Sequence, residues 1–341
     1  MADSDRAEAH GVVERLRNEP QRFDFFQALR LYECLHGDKP RLGKSLKVSD
    51  DPLRLGQNPD LDFPVATLSD CAPGPNGSDR LLVRFLGLFG PNGALPLHLT
   101  EYARDRLRHH GDPTFARFAD VFHHRMLSLF YRAWANAQPT VSRDRPESDR
   151  FGFYLASLIG VAPGAFRDRD AMPDGAKLYF SGLLASQTKH ADGLIAMLSE
   201  YFGRPVQVQE FVGEWMEIAV SDQSRLGTSP MLATLGQSVV VGAKTWGCQH
   251  KFRIVMGPLS LDAYRGMLPG GRALKELVAL VRNYAGDELV WDVNLILRGE
   301  DIPPTVLDGS SQLGWTSWIG DRRGPIDAYD LMLNPFWSEQ G

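Results

Sequence analysis

The segment from Pro113 to Ala137 constrains the fold of this chain more than any other stretch. Gly111-Asp112-Pro113 is a typical helix start, because Asp112 can cap the first turn and proline is tolerated there. Apolar residues then recur at spacings of three and four, which places them on one face of a long helix. This face comprises Phe115, Phe118, Phe122, Met126, Leu129, Phe130, Ala133 and Trp134. The opposite face carries Arg117, Asp120, His124 and Arg132.

A second apolar helix is predicted from Asp24 to His36. Asp24 is suited to cap its first turn, and Gly37 is a stop signal. Its apolar residues surround much of the helix and include Phe25, Phe26, Leu29, Leu31, Tyr32 and Leu35. Such a helix is buried, either in the core of its own chain or in that of a partner. Both alternatives stay open for this helix, whereas for the helix at 113–137 we expect the chain's own core.

Composition and charge exclude several classes of protein. The chain has 341 residues, of which 43% are hydrophobic and 23% are charged, as in an ordinary globular protein. Its 37 basic and 42 acidic residues give a net charge of −5, so it lacks the basic excess of a nucleic-acid-binding protein. The three cysteines, Cys34, Cys71 and Cys248, form no metal-binding or disulfide pattern. We find neither a signal peptide nor an apolar run long enough for a transmembrane helix, and expect no direct membrane insertion.

The pattern of helices, strands and breaks predicts an α+β fold with two lobes. Residues 1–137 hold the N-terminal helices and a first strand–loop–helix lobe, and the polar segment 138–150 is the linker candidate. Residues 151–341 form the second lobe. Proline and glycine are frequent, with 22 and 33 residues, so we expect long irregular loops around short strands.

The two lobes share a local pattern, in which a strand is followed by Gly-Pro, Leu-Pro and a helix. The first copy runs from the predicted strand Arg80–Leu88 through Gly90-Pro91 and Leu95-Pro96. The second runs from Gln249–Met256 through Gly257-Pro258 and Leu268-Pro269. Prolines stiffen such loops and reduce the entropy lost on docking. Their apolar side chains suit either a protein partner or the chain's own core. The residues concerned are Leu88, Phe89, Pro91, Leu95, Pro96, Leu97, Pro258, Leu259, Leu261, Tyr264, Met267 and Leu268.

No catalytic, cofactor-binding or metal-binding residues are predicted. The glycine-rich run 87–93 lacks the Gly-Lys-Ser/Thr of a phosphate-binding loop, and no GxSxG nucleophile motif occurs. His109, His110, His123 and His124 lie close in sequence, but without the spacing of a helical zinc site. A metal-dependent hydrolase that uses these histidines is the alternative function. The pair Trp315 and Trp318 is expected in a core or an interface rather than stacked on a base.

Several segments resemble one family, the TssG (ImpH or VasB) subunits of the bacterial type VI secretion baseplate. The two most specific are His124–Trp134 (HRMLSLFYRAW) and Leu313–Trp318 (LGWTSW). Leu99 and His123 depart from the family, in which tyrosine and asparagine are common. The other matching segments are Phe25–Leu31, Pro40–Gly43, Phe85–Leu88 with Gly90-Pro91 and Gly93, Leu95-Pro96 to Thr100-Glu101, and Gly257–Leu259.

The resemblance implies a structural protein of the contractile injection system and not an enzyme. TssG-like proteins join TssF in a wedge complex that rings the spike hub, and TssK trimers anchor each wedge to the membrane complex. The family is similar to wedge proteins of contractile-tail phages. The implied partners are therefore TssF, TssK trimers, TssE and the spike hub VgrG. The implied location is cytoplasmic, docked on the inner-membrane complex.

The resemblance also suggests where the partners bind. Two projecting loops are understood to hold two TssK trimers in this family, so we expect Phe89–Leu97 and Gly257–Leu268 to be these loops. A second hypothesis places the helices Asp24–His36 and Pro113–Ala137 in a bundle with TssF, and its alternative is the chain's own core, which we favour for the longer helix. In the first of these helices the contact residues would be Phe25, Phe26, Leu29 and Tyr32.

Overall fold

A computed structural model describes residues 11–74, 78–162, 164–225, 234–306, 311–320, 322 and 324–335. The chain divides into two compact units, residues 1–153 and 154–341. Each unit combines helices with its own small sheet, which confirms the α+β prediction. Within the described residues, no helix is both long and apolar enough to cross a lipid bilayer.

The first unit is built on a three-stranded sheet. Its strands are β1 (Leu53–Gln57), β2 (Leu68–Pro73) and β3 (Asp79–Val83), in the order β1-β3-β2. β1 runs parallel to β3 and β2 runs antiparallel to it, so β1 and β2 are the edges of the sheet. The helices are α1 (residues 11–18), α2 (Phe25–Leu35), α3 (Leu97–Arg108), α4 (Thr114–Asn136) and α5 (Pro139–Arg143).

The predicted helix starts in this unit have the expected capping contacts. The side chain of Asp24 accepts a hydrogen bond from Phe26 N at 2.9 Å, and α2 begins one residue after the cap. Asp112 accepts one from Thr114 N at 3.0 Å, where α4 begins. The predicted strand 80–88 is shorter than expected, because regular pairing in β3 ends at Val83.

The segment 138–150, which we expected to link two lobes, is folded onto the first unit. It contains α5, and its side chains and carbonyls bind α2 and the loop that follows α2. Arg30 pairs with Asp144 at 2.6 Å, and Arg41 donates to the carbonyl of Val141 at 3.0 Å. Arg145 donates to the carbonyl of Glu33 at 2.8 Å. The arginines therefore anchor this polar segment, and the division between the units falls after it.

The second unit contains a four-stranded sheet and a separate two-stranded ribbon. The sheet has the order β4-β7-β8-β9, with β7 parallel to β8. Its strands are β4 (Val206–Gln209), β7 (Lys251–Leu259), β8 (Val290–Leu297) and β9 (Ala328–Leu333). The ribbon pairs β5 (Glu214–Glu217) with β6 (Lys244–Gly247). Residues 237–241 form a turn and irregular structure.

The helices of the second unit are mostly short, and α6 begins at the end of the first unit. The last helix, α11 (Arg272–Ala285), packs Leu274, Leu277 and Val281 into the core. In sequence order the helices are α6 (Arg150–Leu158), α7 (Asp174–Tyr179), α8 (Ser181–Ala185), α9 (Ala191–Phe202), α10 (Leu261–Gly266) and α11 (Arg272–Ala285).

Candidate protein-interaction site

The long helix α4 turns its polar face towards the first sheet. β1 is an edge strand, so the backbone N–H groups on its free side need acceptors from outside the sheet. Leu55 N donates to Nδ1 of His124 at 3.1 Å, and Gln57 N donates to Oδ1 of Asp120 at 2.9 Å. The polar residues of α4 therefore cap the edge of the sheet instead of facing water.

A buried ion pair fixes the C-terminal half of α4 in the same orientation. The guanidinium of Arg132 binds the carboxylate of Glu33 on α2, and both side chains are buried. Glu33 also accepts hydrogen bonds from Tyr131 Oη at 3.0 Å and from Leu42 N at 2.7 Å. Removing one partner of such a pair costs about 3–5 kcal/mol, because the other charge stays buried and uncompensated. Rotation of α4 about its axis would break the contacts that Arg132 and Tyr131 make with Glu33.

Two adjacent buried histidines complete this polar face. Nε2 of His124 donates to Asp51 at 2.9 Å, and Nδ1 of His123 donates to Asp120 at 3.1 Å. Nε2 of His123 accepts from Leu88 N at 2.9 Å. Burial alone would raise the pKa of Asp51, but hydrogen bonds from His124 and Ser45 outweigh it and hold that pKa below its ordinary value. Both nitrogens of each ring thus serve the fold, which speaks against these two histidines as ligands of a hydrolase metal.

The apolar face of α4 consequently points outward. Six of its large side chains are between 43% and 65% exposed: Phe118, Val121, Phe122, Met126, Leu129 and Phe130. We call these six residues the α4 outer face. Our expectation that the chain's own core covers this face was wrong, because the edge strand and Glu33 already engage the other side of the helix. Burying a side chain of this size stabilises by about 1.5–3 kcal/mol, so the outer face is a strong candidate for a protein contact.

Aromatic residues from neighbouring segments extend this surface. The ring of Phe26 stacks on Trp134 at 4.6 Å, and both side chains are half-buried. Phe85 lies 6.0 Å from Phe130, ring centre to ring centre, and is exposed together with Leu86. The exposed apolar area therefore continues from α4 onto the loop that follows β3.

The other predicted contact residues of α2 belong to the core of the first unit. Phe25, Leu29 and Tyr32 are at most 2% exposed. Tyr32 Oη also donates a hydrogen bond to Asp79 at 2.6 Å. The expectation that these three side chains face TssF is therefore corrected, because α2 is enclosed by its own unit. Phe26 alone of the four retains accessible surface.

The first predicted loop, Phe89–Leu97, is held rigidly near its start. The side-chain amide of Gln57 accepts from Phe89 N at 2.8 Å and donates to Phe89 O at 2.7 Å. Gly90 N donates to Oγ1 of Thr100 at 3.2 Å. A Cβ on Gly87 would lie 2.2 Å from Oε1 of Gln57, so the close approach of loop and amide requires glycine there.

The side chains of this loop divide into an anchor and a tip. Phe89 is buried in a small cluster with Ala103 and Ala119, and Leu88 and Leu95 pack half-buried against it. The expectation that Phe89 faces a partner is therefore wrong. The exposed tip is formed by Pro91, Pro96 and Leu97.

The second predicted loop is not a projecting loop. Residues 257–259 are the end of β7, and residues 261–266 form α10. Leu259, Tyr264, Met267 and Leu268 are at most 4% exposed and belong to the core of the second unit. Their assignment to partner binding is corrected, because the inserted residues fold into a helix that packs on the sheet. Leu261 is half-buried and Pro258 is exposed.

Tryptophans mark two further places in the second unit. Trp315 and Trp318 pack against its core, and the carbonyl of Trp315 accepts from Tyr264 Oη at 3.1 Å. Trp215 and Trp246 are opposite each other on the ribbon with ring centres 5.3 Å apart, and both are more than half exposed. Our sequence reasoning assigned this second pair no role. The signal that could have found it is the alternation of apolar and polar residues from Trp215 to Val220, which indicates a strand but not its exposure.

Metal-binding side chains do not converge in the described part of the chain. We find there no group of three or more His, Cys, Asp or Glu residues placed to hold an ion. His109 and His110 lie on the surface at the end of α3, where Nε2 of His110 is 3.4 Å from Asp105. The four histidines of the alternative function thus have different roles.

Comparison with known proteins yields one family and two solved structures. The family model described as "Type VI secretion, TssG" matches residues 19–320. A chain in a structure entitled "The baseplate complex from the type VI secretion system" is 23% identical, with a TM-score of 0.60, over 90% of this chain and 89% of that one. A chain in the cryo-electron microscopy structure of a TssK-TssF-TssG baseplate subcomplex is 21% identical, with a TM-score of 0.52, over 61% and 88%. No curated protein matches the sequence.

Proposed function

This chain belongs to the TssG family of type VI secretion proteins, and on that premise we propose that it is a structural subunit of the secretion baseplate. In this role it joins TssF in a wedge and holds TssK trimers, while TssE and VgrG are neighbours in the same assembly. The proposal places the protein in the cytoplasm, docked on the inner-membrane complex through TssK. Its support is the family match over residues 19–320 and the fold shared with chains of two baseplate structures.

The observation that carries the proposal is the α4 outer face. Six large apolar side chains in successive turns of α4 are exposed to solvent, while the polar face of the helix is buried. A helix with this orientation can pack against a helix or sheet of a second protein. The partner's apolar side chains would then exclude water from the α4 outer face. We assign this contact to TssF, and it replaces the contact expected at Phe25, Leu29 and Tyr32.

A pair of substitutions on one helix tests the assignment. Phe122→Asp places a charge on the α4 outer face, where water solvates it, so the chain should fold and melt as the wild type does. Binding to TssF should weaken about 30-fold or more, because a central apolar contact is lost and the aspartate would be buried unpaired. Coexpression with TssF of the same secretion system, followed by affinity copurification, measures the effect.

The matched control is Leu127→Asp, which introduces the same charge on the opposite side of α4. Leu127 is 1% exposed in the core of the first unit, so this variant should fail to fold with or without TssF. Undiminished capture of TssF by the folded Phe122→Asp variant would refute the assignment of the outer face.

We assign attachment of a TssK trimer to the first loop. Its tip is formed by Pro91, Pro96 and Leu97. Hydrogen bonds from Gln57 to Phe89 and from Gly90 to Thr100 hold the loop in place, so little conformational entropy of the loop is lost on docking. A second TssK contact near 257–268 is also part of the proposal. At that place it would rest on Pro258 and Leu261, since the other apolar side chains are core.

A further inference from the structure

A groove lies on the outer face of the first sheet, between the strands and α4. It encloses about 620 Å³, and its lining includes Arg54 of β1, Arg80 of β3 and Arg117 of α4. Side chains alternate along a strand, so Arg54 points away from the core that Leu53 and Leu55 enter. We call this feature the arginine groove.

The arginines of the groove are only partly neutralised. Arg54 and Arg80 are partners in the register of the parallel strands β1 and β3, which brings two like charges side by side. Arg80 binds the carboxylate of Asp120, and a nitrogen of Arg117 lies 3.9 Å from the same carboxylate. Asp120 also accepts from Gln57 N and His123, so it has no capacity for a further arginine.

Within the described residues, Arg54 is the guanidinium of the groove that forms no ion pair. The carboxylate of Asp51 acts on it only at longer range and is already bonded to His124 and Ser45. No carboxylate in the described part of the chain forms an ion pair with it, although its side chain is half-buried. Asp70 is the other acidic residue of the lining, so three guanidinium groups face two carboxylates in the groove. A protein that covered this groove would desolvate Arg54 and would have to supply a negative charge to it.

The arginine groove is continuous with the α4 outer face. Val121 belongs to both, and Leu82, Ala72 and Val48 add apolar surface to the lining of the groove. On α4 itself the exposed charges are Arg117 and Arg125, while Asp120 faces the sheet. A partner that docks on the α4 outer face would therefore also contact Arg117 and Arg125 and could extend into the arginine groove.

We propose that the arginine groove receives an acidic segment of the protein that docks on α4, with one carboxylate of that segment paired to Arg54. The inference rests on the proposed function in one respect, since that function names the docked protein as TssF. Apolar side chains of the segment cover Leu82 and Val121, and its carboxylate compensates the charge of Arg54, because Asp120 is already shared by Arg80 and Arg117. The groove thus selects the register and orientation of TssF along α4.

Arg54→Glu tests the proposal in the full chain coexpressed with TssF. Reversal of the charge should weaken TssF binding about 30-fold or more, because the carboxylates of the two proteins would then repel each other. Arg54→Gln keeps much of the side-chain volume without charge and should weaken binding less. Arg15→Glu is the control, since Arg15 lies exposed on α1, outside the groove, and this change alters net charge equally. Circular dichroism and thermal melting of each purified variant establish that it is folded.

Salt dependence provides a second readout that does not require Arg54→Glu to fold. Added salt should weaken binding of the wild-type chain more than binding of Arg54→Gln, because the ion pair is absent in the variant. Wild-type affinity for TssF in all Arg54 variants would overturn the acidic-segment proposal and leave the proposed function standing. Failure of the wild-type chain to bind TssF would overturn both. A single-stranded oligonucleotide that competes with TssF for the groove would overturn the assignment to an acidic peptide.

Discussion

Single side chains decide which way α4 faces. Glu33 accepts hydrogen bonds from Leu42, Tyr131 and Arg132, and the last two lie 98 and 99 residues away in the sequence. Local patterns cannot reveal partners at such separations, so the sequence predicted the helix but not the side on which its polar residues are used. Arg54 shows the same limit, since its register partner Arg80 becomes visible only with the sheet.

The pair of Asp51 and His124 predicts an acid-dependent loss of stability. The folded-state pKa of Asp51 lies below its unfolded value, so its contribution is present above about pH 4 and is lost as the pH falls through the folded pKa. Asp51→Asn should lower the melting temperature at pH 7 by about 2–8 °C, because a charge-assisted hydrogen bond is weakened. Thermal melting of both proteins from pH 7 down to pH 3 should show the difference shrinking.

The control for this prediction is Asp62→Asn, which removes an exposed carboxylate that forms no hydrogen bond or ion pair within the described part of the chain. It should melt as the wild type does at every pH. A deficit of Asp51→Asn that stays constant down to pH 3 would show that the carboxylate charge is not its cause.

At the level of elements, local sequence patterns predicted where helices begin, but not which faces of the elements are exposed. The starts of α2 and α4 follow from Asp24 and Asp112, whose side chains accept the expected backbone hydrogen bonds. Strand β7 overlaps its predicted range Gln249–Met256, because apolar and polar residues alternate along it up to the break at Gly257-Pro258. Exposure was misjudged for α4 and for 257–268, since it depends on which face other segments of the chain already occupy.

The first loop allows anchor and tip to be separated by substitution. Leu97→Asp changes an exposed tip residue, so the chain should fold and keep TssF while its capture of TssK falls at least about tenfold. Phe89→Asp buries a charge in the anchor and should unfold the loop or the unit. Copurification of TssK and TssF from the same coexpression measures both partners at once. Equal capture of TssK by wild type and Leu97→Asp would contradict this placement.

At the scale of the whole molecule, each unit has its own main core among the described residues, and a small third cluster surrounds Phe89. One main core is formed by α2, the first sheet and α4, and the other by the second sheet with α9 and α11. The sequence predicted two parts but put the linker at 138–150, where arginine contacts hold the segment to the first unit. Each unit retains exposed aromatic residues, on α4 in the first and on the ribbon in the second. This distribution suits a protein that is completed by several neighbours.

A cryo-electron microscopy map of this chain coexpressed with TssF and TssK tests the central claim most directly. We expect side chains of TssF to cover Phe118, Phe122 and Met126, with helix α4 in the orientation that Glu33 and Asp120 impose. A map in which TssF binds elsewhere and the α4 outer face stays in solvent, or is covered by this chain's own residues, would contradict the claim.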